Sequence, residues 1–226
     1  WLMLLASLIM PFMAFLLFNY RGDTGVEPIE FYKWSAFGYT LFIILPVILG
    51  IFCTMLIHEE KQSDLLKQLW IVPVGKLEYF FSKFSVMLIY SVGFMLFTAI
   101  ASILFSVLPG YVSFEWESVL YLLERCLEIG VLTALAMLPV LAIAVSRKGY
   151  IFPVCITLVY AFCGFIFMSI NMYLLPLTSM AVIVMRNKDI PGIAFSQTIN
   201  IPMAFLCICI WGIAAVLLAK IALKEK

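Results

Sequence analysis

The chain is short of charge. Asp, Glu, Lys and Arg make up 12% of its 226 residues, against about 25% in soluble domains, and a surface so poor in charge excludes a water-soluble globule. Histidine is scarcer still. One copy, His58, cannot by itself build a metal site. A zinc protease of the membrane needs His-Glu-x-x-His, and the chain offers only His58-Glu59-Glu60. A serine protease would need a catalytic base with a partner, which His58 lacks in the sequence. The six cysteines, Cys53, Cys126, Cys155, Cys163, Cys207 and Cys209, form no Cys-x-x-Cys pair. Five of them lie inside apolar runs, so they read as small hydrophobes rather than a disulfide or metal framework. A net charge of +1 gives no electrostatic footprint for nucleic acid. No Gly-x-x-x-x-Gly-Lys-[Ser/Thr] loop is present to cradle phosphates.

What the chain does have is apolar length. Hydrophobic residues are 65% of the total, and they fall in long blocks, the pattern of helices that face lipid. The short alternating segments of a membrane barrel are missing. The expected fold is therefore all-α and integral to a membrane, one transmembrane domain over residues 1–226. Six runs approach the ~20 residues that cross a bilayer: Leu2 to Phe18, Ala36 to Ile57, Phe84 to Leu108, Ile129 to Val145, Ile151 to Ile170 and Met203 to Leu223. Trp1 already lies in an apolar run, so further residues upstream of it are expected.

Lysine and arginine set the orientation. With Glu59 to Lys83, the Arg147-Lys148 turn and the C-terminal tail on one side, that side holds nine basic residues and the other five. Both termini are then expected in the cytoplasm. Asn171 to Pro202 holds a second apolar stretch, Met172 to Met185. Fourteen residues reach only ~21 Å as a helix, too short to span. A re-entrant or interfacial element sheltered by neighbouring helices is expected there. Once their ends are trimmed the spans carry almost no charge, with Glu128 at a boundary, which disfavours a proton- or sodium-coupled carrier.

Two polar constellations stand out. In the first, Leu65, Leu66, Leu69 and Trp70 share one face of a short helix that Pro73 and Gly75 end. The plain reading is an amphipathic helix resting on lipid headgroups. In the second, Glu117, Glu124 and Glu128 lie at i, i+7 and i+11 on a helix leading into the fourth span, with Arg125 beside them. They offer either a solvated face or a docking surface for a cationic or metal-bearing peptide.

The stretch from the acidic pair Glu59-Glu60, through Ser63 to Leu69 and Pro73-Val74-Gly75-Lys76, to Lys83 resembles the type-2 ABC exporter permeases. It is most similar to the small six-span permeases of bacitracin resistance and lantibiotic immunity. It departs from their pattern in having Ser63-Asp64 for a threonine after the acidic pair, and Gly75-Lys76 for Ser-Arg before the third span. The resemblance implies that Glu59, Glu60, Ser63, Asp64, Leu65, Leu66, Leu69, Trp70, Pro73 and Lys76 form a coupling segment. That segment would sit in a cleft of a separate cytoplasmic ABC ATPase, with Arg147 and Lys148 as a smaller second contact. It implies two permease copies, expected as a homodimer, with two ATPases, and an outer gate between spans five and six. This chain would hold no cofactor, and ATP and magnesium would bind the partner. The implied function is expulsion of a peptide antibiotic from a bacterial cytoplasmic membrane, giving resistance or self-immunity. The alternatives are an exporter of another lipid or polypeptide cargo and a non-transporting membrane subunit.

Overall fold

The computed structural model describes residues 2–22, 27–62, 75–147, 149–186 and 199–224. Among them the regular structure is entirely helical. The helices are α1 (Leu2–Arg21), α2 (Pro28–Gln62), α3 (Lys76–Val107), α4 (Trp116–Ala136), α5 (Leu138–Ser146), α6 (Ile151–Ile170), α7 (Pro176–Val184) and α8 (Ile201–Lys224). Five of these are long and apolar enough to cross a membrane, and α4 and α5, bent at their junction, pass the same test as a pair, a sixth span if they cross as one. The chain is a multi-pass, all-α membrane protein.

The six apolar runs fall on these five helices and the bent pair, and all but α6, which matches its run Ile151 to Ile170, are longer than the runs. The second run, read as Ala36 to Ile57, belongs to a helix from Pro28 to Gln62, and the third, read from Phe84, begins at Lys76. Hydrocarbon thickness limits the apolar letters, whereas helical hydrogen bonding continues into the polar flanks. Pro28 opens α2 at a first-turn position where its missing N–H costs nothing. Gly75 opens α3, and its N–H donates to the Glu78 carboxylate at 3.0 Å, satisfying an orphan donor.

Among the five unbroken crossings α2 is the most enclosed. Leu41, Leu45, Leu49, Cys53 and Ile57 recur every fourth residue and are all buried. Toward its N-terminal end, overlapping the start of this stripe, the helix widens into two π turns, Lys33–Phe37 and Thr40–Ile44. The extra residue per turn broadens the inward face, so Phe31, Tyr32, Ser35, Ala36 and Phe37 are buried together. Close packing relies on small residues, as expected where lipid gives helices no hydrophobic drive to associate. A Cβ on Gly130 of α4 would stand 3.0 Å from the Val92 Cα of α3, and Ser91 Oγ donates to the Gly130 carbonyl at 2.7 Å.

The bend of 41° between α4 and α5 is a proline effect. Pro139 has no N–H for the carbonyl one turn back, and its ring crowds that carbonyl. The Tyr160 hydroxyl of α6 donates to the Ala136 carbonyl at the break, 2.8 Å away. Beyond it α5 is drawn inward, with Leu138 to Ala142, Ala144 and Val145 buried.

The stretch after α6 holds the short helix expected there. Every residue of α7 is buried, enclosed by α4, α6 and α8. Leu177 packs on Gly164 of α6, and Met180 Sδ is 3.9 Å from Thr133 Oγ1 of α4. The turn leading into it is fixed from α8, where Trp211 Nε1 donates to the Leu174 carbonyl at 3.0 Å. Nine residues sheltered on all sides can lie at membrane depth without exposing polar backbone to lipid.

Candidate functional site

Two polar clusters mark opposite ends of the bundle. The first joins the end of α2 to α3 and α5. The Glu60 carboxylate accepts from Tyr79 Oη at 2.9 Å and pairs with Lys83 Nζ, tying α2 to the foot of α3. The ammonium of Lys61 points the other way. Its Nζ donates to the carbonyls of Ala144 at 3.0 Å and Val145 at 2.9 Å, and also to that of Arg147. These are the carbonyls left over at the C-terminal end of α5, where a cation is favoured by unpaired acceptors and by the helix dipole. Alongside, the His58 ring lies 5.1 Å from that of Tyr150. His58, Glu60 and Lys61 of α2, Tyr79 and Lys83 of α3, and Arg147 and Tyr150 beyond α5 thus converge.

Of the residues expected to couple to a partner, Glu59, Glu60 and Arg147 sit at this end, and Lys76 opens α3. Ser63, Asp64, Leu65, Leu66, Leu69, Trp70, Pro73 and Lys148 lie outside the described residues. Glu59 and Arg147 are exposed, while Glu60 is half-buried in its pairing with Lys83. The sequence reading counted Lys61 only as one basic residue among nine. The signal for more was present in its place, directly after Glu59-Glu60 and at the end of an apolar run, but not its target on a helix about 85 positions away.

The second cluster lies at the other end, where Tyr111 Oη donates to Asn19 Oδ1 at 2.9 Å. Glu117 and Glu124 are exposed there, as a wetted helix face requires. Glu128 differs from them. Its carboxylate accepts from Arg125 Nη1 at 2.7 Å and pairs with Arg186, just beyond α7. Arg125 is 6% exposed and its guanidinium stands over the Tyr121 ring. Arg186 also donates to the Ile183 carbonyl at 3.1 Å, closing the C-terminus of α7. The three glutamates therefore do not make one open negative patch. Two face outward, and the third is neutralised between two arginines and fastens α7 to α4.

Among the described residues no group of His, Cys, Asp and Glu is placed to hold a metal ion. Neither cluster pairs a nucleophile with a base. Their chemistry is that of mechanical joints, in which charge-assisted hydrogen bonds fix one helix end to another.

The model of the ABC-2 family transporter proteins matches residues 1–164, and the chain belongs to that family. It is thus a membrane permease of an ABC transporter, and membership implies an ABC ATPase subunit as its partner. The match takes in the first cluster and the whole of α1 to α5, and stops within α6. No curated protein and no solved structure matches the chain.

Proposed function

We propose that this permease expels an antimicrobial peptide of the bacitracin or lantibiotic kind from a bacterial cytoplasmic membrane, conferring resistance or self-immunity. Two copies assemble with two cytoplasmic ATPases, which bind ATP and magnesium. The Lys61 end of the bundle faces the cytoplasm and the Glu117 end faces outward.

One observation carries the reading of the motor contact. Ser63 to Pro73 follow α2 and precede α3 in the sequence, and Glu60 clips the adjoining ends of these two helices together while Lys61 clips the same point to α5 beside Arg147. A push on that segment is delivered to three spans at once. At the opposite end, Glu128 and Arg186 give the buried α7 a breakable hold on α4, which suits a gate. Exposed Glu117 and Glu124 stand near it and would attract a cationic peptide modestly, since free charges are screened beyond ~8 Å at physiological salt.

The test uses cells carrying the chain and its ATP-binding partner. The minimum inhibitory concentration of a lantibiotic-like peptide should fall to that of unprotected cells when hydrolysis by the partner is abolished, with the membrane level of the chain unchanged. Protection that survives without hydrolysis contradicts the reading.

A further inference from the structure

A groove of about 400 Å³ opens between α5, α6 and α8 at the Lys61 end of the bundle. It exists because the bend at Pro139 draws α5 inward while its neighbours stand proud. Its floor includes Ala142, which is buried, and its walls are Phe152 and Ile156 of α6 and Leu218 and Ile221 of α8. Phe152, Leu218 and Ile221 are about half exposed on helices apolar enough to cross a membrane, so the groove opens on the sides that such helices would turn to lipid. At its mouth stands Arg147. The guanidinium lies 4.9 Å over the Phe152 ring, and among the described residues no carboxylate is bonded to it.

We infer that this groove holds one anionic glycerophospholipid, its phosphate on Arg147 and an acyl chain against Ala142, Ile156 and Leu218. Charge complementarity selects this occupant. An apolar slot with one cation at its end matches a single chain beneath a single negative headgroup, and the volume lies within the range of ordinary ligand sites. Arginine suits a phosphate because it offers several fixed donors at once. Basic pockets between spans at a membrane surface are recognised sites for acidic headgroups. A zwitterionic lipid fills the slot equally but brings an ammonium beside the guanidinium, which weakens its hold. Binding there would load the turn that Lys61 grips.

Native mass spectrometry of the full-length chain, released from membranes containing equal phosphatidylglycerol and phosphatidylethanolamine, reads this directly. We expect phosphatidylglycerol to be retained about fivefold over phosphatidylethanolamine. Arg147→Gln, on an exposed side chain, should bring the two to parity. Leu218→Trp, also on an exposed position, should fill the slot and release both. Equal retention of the two lipids by the unmodified chain would overturn the site, as would an undiminished preference in Arg147→Gln. It would also fall if cysteines at Ile221 in two copies cross-link readily in the membrane, because a second permease would then cover the groove.

Discussion

Lys61 Nζ lies 3.0 Å from the Ala144 carbonyl oxygen and 2.9 Å from that of Val145, so a cation on α2 closes the last turn of α5. This joint turns a helix end and a distant turn into one body. Removing it leaves carbonyls without a donor and frees the Arg147 turn from α2. Hydrogen bonds to a charged group are worth ~1.5–3 kcal/mol each in favourable settings, and half-burial reduces that here. Lys61→Met, which keeps the length and loses the charge, should lower thermal stability of the purified chain by about 2 kcal/mol. Protection in cells should fall further than the membrane level of the chain. A variant that matches the original in melting and in protection would show the joint to be idle.

The two kinds of outer carboxylate should separate by mutation. Glu117→Gln with Glu124→Gln removes exposed charge, and stability should move by less than ~0.5 kcal/mol. Resistance should weaken several-fold toward a cationic peptide and stay unchanged toward a neutral one. Glu128→Gln leaves Arg125 and Arg186 without their shared counter-ion, and should cost about 2 kcal/mol, below the range for fully buried pairs because Arg186 is partly exposed. It should also raise proteolytic nicking of the chain between α7 and α8. Identical phenotypes for the two variants would mean that the carboxylates form one ordinary wetted face.

The place of the spans was legible in the sequence because apolar length is a direct consequence of bilayer thickness, and each run falls on one of the five long helices or on the bent pair of α4 and α5. The sheltered helix α7 was legible for the same reason, being too short to cross. Other features could not be read. Glu117, Glu124 and Glu128 share a helical face by spacing, but the docking of α7 decides which of them meets an arginine, and that contact joins positions 58 residues apart. The π turns of α2 have no strong local signal, since Lys33 to Ile44 contains ordinary apolar and small residues. The fourth run reads straight through Pro139, and the break there, with α5 drawn inward and a groove left beside it, depends on α6 and α8. Lys61 shows the limit most plainly, because a basic residue after an apolar run fits a solvated charge as well as a helix-closing bond.

Topology is open to direct labelling. Single cysteines at Glu27, Glu117 and Lys188 should react with an impermeant thiol reagent added outside intact cells, and cysteines at Gln68 and Lys224 should react only after lysis. The background requires the six native cysteines to be replaced by Ala or Ser. Labelling of the Lys224 position from outside would contradict six crossings with both ends in the cytoplasm.

Coupling is the central claim, and one pair of substitutions tests it most directly. Burying Leu65, Leu66, Leu69 and Trp70 in a partner's cleft would remove apolar area worth ~25 cal/mol per Å², and a carboxylate placed there must be desolvated without a partner. Leu66→Asp and Leu69→Asp are to be compared with the unmodified chain for membrane level, for co-purification of the ABC ATPase and for peptide protection in the same cells. The account predicts normal membrane levels, loss of the ATPase on purification and protection reduced to that of unprotected cells. Full protection with the ATPase still bound would contradict it, and would leave Ser63 to Pro73 as a helix lying on the membrane surface.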